Sequence, residues 1–326
     1  MRLFALKGSE SLGAAIAAAL GHPVDPHEER DFEDGEHKAR PLVSVRGQNV
    51  YVVHALNGEA GASANDKLVK LLFFVAACRE NGAASVTAIV PYLAYARKDR
   101  QTKSRDPVTT RYVAQLFETV GTDCLITLEV HNFAAFQNAF RCRTLHLESR
   151  RLFVPVIRRL ADGLPVTVFS PDGGGVKRAQ LLKETLENET GIEAGFGFME
   201  KRRSRGVVSG DLFAGDVEDR VVFIVDDMIS TGGTILRAAG ACRERGAKRV
   251  FALAAHGLFR SGVRPFAESP DLAGVVVTDS VAVARRQAEH LPGGTLEIVS
   301  CGPMIAETIK RLETGEPLSD LLGMED

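Results

Sequence analysis

The chain has 326 residues, a length that points to about two domains, and a formal net charge of −2. With no basic excess and no block of like charge, it carries no electrostatic footprint for nucleic acid and no charged tail. Cys78, Cys124, Cys142, Cys242 and Cys301 stand apart with no C-x-x-C pair, which argues against a disulfide framework or a zinc site and fits a reducing, cytoplasmic setting.

Leu3 to Leu6 reads as a first strand and Ser9 to Leu20 as a helix. Leu12 to Leu20 is apolar, but Lys7, Ser9 and Glu10 interrupt its approach. No span nears the ~20 apolar residues that cross a bilayer, so a signal peptide or membrane segment is the lesser reading. A polar loop then reaches Asp31-Phe32-Glu33-Asp34-Gly35-Glu36, by itself a solvated turn. Pro41 to Val53 reads as two strands around a turn containing Gly47. Asn65 or Asp66 is placed to cap a helix that runs to about Glu80, with Leu68, Leu71, Leu72 and Val75 on one face.

Ser85 to Pro91 is a strand, followed by a loop from Tyr92 to Pro107. Cations crowd it and its flank: Arg97, Lys98, Arg100, Lys103, Arg105 and Arg111. Such a loop is either a solvated surface or a basic flap that closes on a polyphosphate. Cys124 to Asn132 is a strand whose end carries His131, a position open to packing or to ligand binding. Val166 to Ala179 is a strand, a glycine loop and a helix start. Asp172 at the strand tip can hold a hard cation or cap the helix. Phe196 to Gly206 ends in the cluster Glu200-Lys201-Arg202-Arg203, which residue chemistry alone reads as a basic hairpin tip.

The chain is organised around Val221 to Ile235. A β-branched apolar run reads as a buried parallel strand. Asp226 and Asp227 stand where it ends. Ser230-Thr231-Gly232-Gly233-Thr234 then leads into a helix from Ile235 to Arg245. Glycines and hydroxyls before a helix offer backbone N–H groups and a positive dipole end to an anion. There is no Gly-Lys-Ser/Thr and no G-x-G-x-x-G, so this is neither a Walker loop nor a dinucleotide fingerprint. A phosphate cradle beside two carboxylates suits a phosphorylated sugar. The loop holds the phosphate and the acids accept from hydroxyls.

An internal echo supports duplication. Ala77-Cys78-Arg79-Glu80-x-Gly82-Ala83 recurs as Ala241-Cys242-Arg243-Glu244-x-Gly246-Ala247, each at a helix end before a strand. The strand tips differ. The first half has Val53-His54-Ala55-Leu56-Asn57 where the second has its acids and loop, so the sugar-phosphate site is expected in the second half alone.

Asp226-Asp227-x-x-x-Thr231-Gly232-Gly233-Thr234 resembles the ribose-phosphate site of type I phosphoribosyltransferases and of ribose-phosphate pyrophosphokinase (PRPP synthetase). Further segments resemble the synthetase: Phe32-x-Asp34-Gly35-Glu36 followed by Ser44-Val45-Arg46-Gly47, Pro91-Tyr92-x-x-Tyr95-Ala96-Arg97, Ser170-Pro171-Asp172-x-Gly174-Gly175-x-x-Arg178, and the 200–203 cluster. Lys98, Glu129, Glu200 and Ser230 depart from the family's usual Gln, Asp, Asp and Asp.

The resemblance implies an α/β fold of two tandem phosphoribosyltransferase-like domains, each a mostly parallel sheet flanked by helices. Residues 1–148 completed by 303–326 form the nucleotide side, and 149–302 the ribose-phosphate side. It implies transfer of the diphosphoryl group of ATP to the 1-hydroxyl of ribose 5-phosphate, giving PRPP and AMP. Phe32 stacks on adenine, Asp34 and Glu36 accept from it, and Arg97 and Lys98 meet the nucleotide's phosphates. His131 and Asp172 hold Mg2+. Asp226 and Asp227 orient the ribose, Ser230, Thr231, Gly232, Gly233 and Thr234 bind its phosphate, and Lys201 and Arg203 are catalytic. The Phe32-to-Glu36 loop of the family crosses a subunit interface, so a homo-oligomer is implied, a dimer at least and commonly a hexamer. Two alternatives stay open: a catalytically weak regulatory partner of an active synthetase, and a phosphoribosyltransferase that consumes PRPP.

Overall fold

The computed structural model describes residues 1–204, 207–288 and 294–323, with the backbone alone described over 201–204 and 207–211. The chain divides into two units. The first is Met1–Glu148 with Ser280–Ala282 and the chain from Ser300 on; the second is Ser149–Asp279 with Val283–Val299.

The first unit contains β1 (Arg2–Ala5), α1 (Glu10–Leu20), β2 (His27–Asp31), β3 (His37–Pro41), β4 (Asn49–Val53), α2 (Ala64–Glu80), β5 (Ser85–Ile89), α3 (Thr109–Thr119), β6 (Cys124–Leu128), α4 (Phe133–Ala139) and β7 (Arg143–Leu147). Its sheet is five-stranded in the order β1-β4-β5-β6-β7, parallel throughout. Side chains alternate between its faces. Phe4, Val50, Val52, Val86, Ala88 and Leu125 pack with Leu68, Leu71, Phe74 and Val75 of α2 and with Val113 and Phe117 of α3.

The second unit contains α5 (Arg150–Ala161), β8 (Val166–Ser170), a 3-10 turn at Gly173–Gly175, α6 (Val176–Thr190), β9 (Ala194–Ser204), β10 (Val207–Ala214), β11 (Val221–Ile229), α7 (Gly233–Glu244), β12 (Arg249–Gly257), α8 (Arg264–Ala267), β13 (Gly274–Thr278), α9 (Ala282–Ala288) and β14 (Leu296–Val299). The last helix, α10 (Gly302–Thr314), belongs to the first unit. There Glu313 accepts from the Tyr51 hydroxyl at 2.8 Å and from Asn49 at 2.9 Å.

The second sheet is seven-stranded, in the order β10-β9-β8-β11-β12-β13-β14. Only the β9–β10 pair is antiparallel. Central β11 is covered on both sides. Val222 and Ile224 pack with Ile235, Ala238 and Ala239 of α7, and Val221, Phe223 and Val225 with α5 and α6. That double burial is why its sequence is an unbroken apolar run.

The echo is structural. Ala83 N–H donates to Cys78 O, and Ala247 N–H to Cys242 O, both at 3.1 Å. Gly82 (φ +84) and Gly246 (φ +88) make the left-handed turn that ends each helix. Arg79 reaches the Ala84 carbonyl as Arg243 reaches that of Lys248.

Two expectations need correction. Residues 42–48 form no strand: the first strand of that region, β3, ends at Pro41 and pairs back onto β2. His27 to Asp31 hides as a loop because it is charged throughout. Its stability comes from partners across the hairpin, such as Glu28 on Arg40 at 2.6 Å. The cap of α2 is Ser63, in a capping box: Asp66 N–H donates to Ser63 Oγ at 3.2 Å, and Ser63 N–H to Asp66 Oδ2 at 2.7 Å.

Candidate active site

In the second unit, β8 is followed by β9 on one side and β11 lies on its other side. Strand order reverses here, and open α/β sheets bind ligands outside the carboxyl ends of strands at such a point. The β8–β11 pairing ends at Phe169 and Ile224, while β11 continues beside β12 as far as Gly257. The strands part just before Asp172 on one side and Asp226-Asp227 on the other.

Asp172 does act as a cap. Its Oδ1 accepts from Gly174 N–H at 2.9 Å and Gly175 N–H at 3.1 Å. The side chain is exposed, and among the described residues Oδ2 has no protein partner. Gly175 sits at the parting: a Cβ there would lie 2.7 Å from Ser170 Oγ. A Cβ on Gly173 would lie 3.3 Å from Glu200 Oε1, so the Glu200 carboxylate stands against the same turn.

Asp227 is buried and Asp226 partly so. Asp227 N–H donates to Asp226 Oδ1 at 2.8 Å, and Met228 N–H to Asp227 Oδ1 at 2.9 Å. Burial, and then the adjacent Asp227, push the Asp226 carboxyl well above the usual carboxylate range; Arg178 pulls it back. The Arg178 guanidinium reaches this pair from the first turn of α6, 3.5 Å from Asp226 Oδ1. Residue chemistry did not single out Arg178. Its signal is the last position of the Ser170-to-Arg178 pattern, and its role is visible only in space.

The loop after β11 is fastened from below. Leu258 and Phe259 N–H donate to Ile229 O at 2.9 and 3.1 Å, and Arg260 N–H to Ser230 O at 2.9 Å. Gly232 is the N-cap of α7, with φ +82 and no side-chain cap. The helix therefore starts two residues before the expected Ile235, and its first N–H groups are left for another partner. Thr231 and Gly233 are exposed, and nothing lies within 4 Å of a Cβ built on Gly233. The corresponding place in the first unit differs. His54 follows β4 there and is fully buried; burial, then Lys67, lower its imidazole to about 3. Lys67 itself pairs with Glu59 at 2.5 Å, and α2 carries its own capping box.

The first unit carries the other set. Phe32, Asp34 and Glu36 lie at the β2–β3 tip, closed by Phe32 N–H on Glu36 O at 2.8 Å and Glu36 N–H on Asp34 Oδ1 at 3.1 Å. Phe32 is 40% exposed, with the Arg30 guanidinium 5.1 Å from its ring centre. Arg97 and Lys98 are exposed on the loop after β5. His131 follows β6 and is exposed too. Asn132, beside it, donates to Asp99 of the cationic loop at 2.6 Å.

Comparisons with known proteins decide the family. Residues 1–121 match the N-terminal domain of ribose phosphate pyrophosphokinase, and residues 210–323 the phosphoribosyl synthetase-associated domain. The ribose-phosphate pyrophosphokinases of Vibrio parahaemolyticus and Haemophilus influenzae are each 34% identical over 98% of this chain and 98% of their own length. The crystal structure of phosphoribosylpyrophosphate synthetase from Mycobacterium smegmatis superposes with a TM-score of 0.85 at 30% identity, covering 96% of this chain and 99% of that one.

The chain belongs to the ribose-phosphate pyrophosphokinase family. Its two sheets are tandem phosphoribosyltransferase-like domains. The first family match spans the Phe32 hairpin and the cationic loop, and the second spans Asp226 to Thr234. Asp172, His131 and the Lys201 segment fall between these matches, within the 98% of the chain over which the pyrophosphokinase relatives align. Lys201 and Arg203 lie on β9, opposite Asp211 and Val208 of β10; their side chains are outside the described residues. Among the described residues, no helix is long and apolar enough to cross a membrane.

Proposed function

We propose that this chain transfers the diphosphoryl group of MgATP to the 1-hydroxyl of ribose 5-phosphate, giving PRPP and AMP. The observation that carries the reading is the uncapped start of α7 beside Asp226 and Asp227 at the parting of β8 and β11. A sugar phosphate needs an anion site and hydroxyl acceptors a few ångströms apart. The N–H groups of Thr231 to Thr234 supply the first and the acid pair the second. The family relation supplies the donor, ATP.

The ribose 5-phosphate lies with its phosphate on the 230–234 loop and its hydroxyls on Asp226 and Asp227. Its 1-hydroxyl attacks the β-phosphorus in line, and AMP leaves. The protein's work is positioning and charge stabilisation. Phe32, Asp34 and Glu36 receive the adenine, with the hairpin tip serving a neighbouring subunit in a cytoplasmic homo-oligomer of at least two chains. Arg97 and Lys98 face the nucleotide's phosphates. Lys201 and Arg203 neutralise charge that develops between the β-phosphorus and departing AMP.

Asp172 fits a magnesium ion: a hard carboxylate oxygen remains open after its other oxygen has capped the turn. Mg2+ takes one or two protein donors and fills its shell with phosphate oxygens and water. Asp172 would hold such an ion in the second unit and His131 one in the first, and a bound ion would neutralise phosphate oxygens. The test is AMP release by the purified chain, with ATP, Mg2+ and ribose 5-phosphate each omitted in turn. Release that requires all three is expected. Release at full rate without ribose 5-phosphate would overturn the assignment.

A further inference from the structure

The cationic loop after β5 has a preformed tip. Asp106 Oδ2 accepts from Thr102 Oγ1 at 2.7 Å, Lys103 N–H at 2.9 Å and Thr102 N–H at 3.2 Å. A tip that holds its own shape is aimed from its base. At the base, Lys98 N–H donates to Tyr95 O at 2.9 Å, and Thr110 Oγ1 donates to the same carbonyl at 2.8 Å. Asp99 comes next, between Lys98 and Arg100.

Asp99 is met by Asn132, and both halves of that carboxamide are used. Nδ2 donates to Asp99 Oδ2 at 2.6 Å. Oδ1 accepts from Ala135 N–H at 3.1 Å, capping α4. The cap fixes the side chain to the helix start, and the amide then reaches the loop. The segment that carries Asn132 is itself held. Glu129 N–H donates to Leu147 O at 2.9 Å, and Val130 N–H to His146 Nε2 at 3.0 Å. Glu129 takes φ +46, a left-handed conformation costly for any residue with a Cβ and kept only where neighbours impose it. His131 lies between these anchors and Asn132.

We propose that Asn132 is a positioning residue that latches Asp99, and so sets where the loop cations Arg97, Lys98 and Arg100 stand relative to His131. A hydrogen bond to an ionised carboxylate is short and about twice as strong as a neutral one, enough to bias a surface loop. The inference rests on the pyrophosphokinase reading, which puts the nucleotide's phosphates between that loop and His131. It adds to that reading a residue whose effect falls on ATP and not on ribose 5-phosphate.

Three variants separate the latch from the cap. Asn132→Ser keeps a good N-cap but is too short to reach Asp99. Asn132→Asp keeps the cap and sets two carboxylates face to face. Asp99→Asn combined with Asn132→Asp swaps donor and acceptor and restores the bond. Each is compared with wild type for KM of both substrates, kcat, Tm and the rate of trypsin cleavage at the loop's Lys and Arg residues.

Asn132→Ser and Asn132→Asp are expected to raise KM for ATP about tenfold, the scale of one hydrogen bond to a charged group. KM for ribose 5-phosphate and Tm should stay near wild type, and trypsin should cut faster. The swapped pair should recover most of the loss. An unchanged KM for ATP and cleavage rate in Asn132→Ser would overturn the latch, as would a swapped pair no better than Asn132→Asp. If wild type itself forms no PRPP, the functional reading fails, and the trypsin rates still decide the latch without turnover.

Discussion

Arg178 Nη1 stands 3.5 Å from Asp226 Oδ1, and both side chains are largely buried. The guanidinium is the charge that opposes burial and Asp227 in setting the Asp226 carboxyl. Removing it while keeping the stem, as in Arg178→Met, should push that carboxyl further up by about a unit or more. KM for ribose 5-phosphate should then rise at neutral pH and fall back as pH increases. Coincident pH profiles of KM for variant and wild type would show that Arg178 does not control the acid pair.

The same pair predicts a pH-dependent stability. The Asp226 carboxyl is held above its ordinary value of 3.8, first by burial. A carboxyl raised by folding contributes its full stability when protonated, below about pH 4, and loses it as pH rises through the folded value. At pH 7 the folded carboxyl, raised to about 8, keeps a proton that the unfolded chain has released, and that difference costs stability. Asp226→Asn should melt a few degrees higher than wild type at pH 7 to 8, and the gap should close as pH falls toward 4. PRPP formation should drop sharply in the same variant. Thermal melts from pH 4 to 9 check the sign: a lower Tm at pH 8 would contradict it.

Two adjacent glycines separate folding from binding. Gly232 has φ +82, and a Cβ there would lie 2.0 Å from Phe266 Cζ. Gly232→Ala combines a left-handed L-residue with overpacking and should cost roughly 2–4 kcal/mol. Gly233 has open space around its Cβ position. Gly233→Ala should leave urea stability within about 0.5 kcal/mol, yet raise KM for ribose 5-phosphate, since the methyl enters the place assigned to the phosphate. Equal KM values for Gly233→Ala and wild type would move the phosphate elsewhere.

Lys201→Ala should lower kcat on the order of 10²–10³, the effect of losing one electrostatic donor in the transition state. KM for ribose 5-phosphate should change little, because Lys201 is assigned to the transferring group. Steady-state kinetics with either substrate varied will show which parameter carries the loss. A kcat near wild type would remove Lys201 from the chemistry.

Much of this was legible in the sequence where chemistry is local. Asp226-Asp227 and the glycine loop follow a β-branched run that is a central parallel strand; the strand runs on to Ile229, so the acids lie within it, past the point where β8 leaves, and only the loop stands at its tip. The Cys78 and Cys242 echo is legible because the same helix end recurs. What was hidden depends on partners across space. His27 to Asp31 is a strand only because Arg40 and its neighbours lie opposite. Ser63 was passed over as a cap for Asn65 and Asp66, although Asp66 three residues on completes its box. Arg178 and Asn132 matter through the reach of a side chain from one loop to the next, which no local pattern records.

The central claim is that two phosphates move together from ATP to the 1-hydroxyl of ribose 5-phosphate. Phosphorus NMR of a reaction mixture with the purified chain, ATP, Mg2+ and ribose 5-phosphate tests it most directly. The account predicts AMP and PRPP appearing in equal amounts, with both lost on adding EDTA. ADP with a ribose bisphosphate would mean transfer of a single phosphoryl group and would contradict it. An unchanged spectrum, with both substrates still bound, would instead favour a regulatory partner.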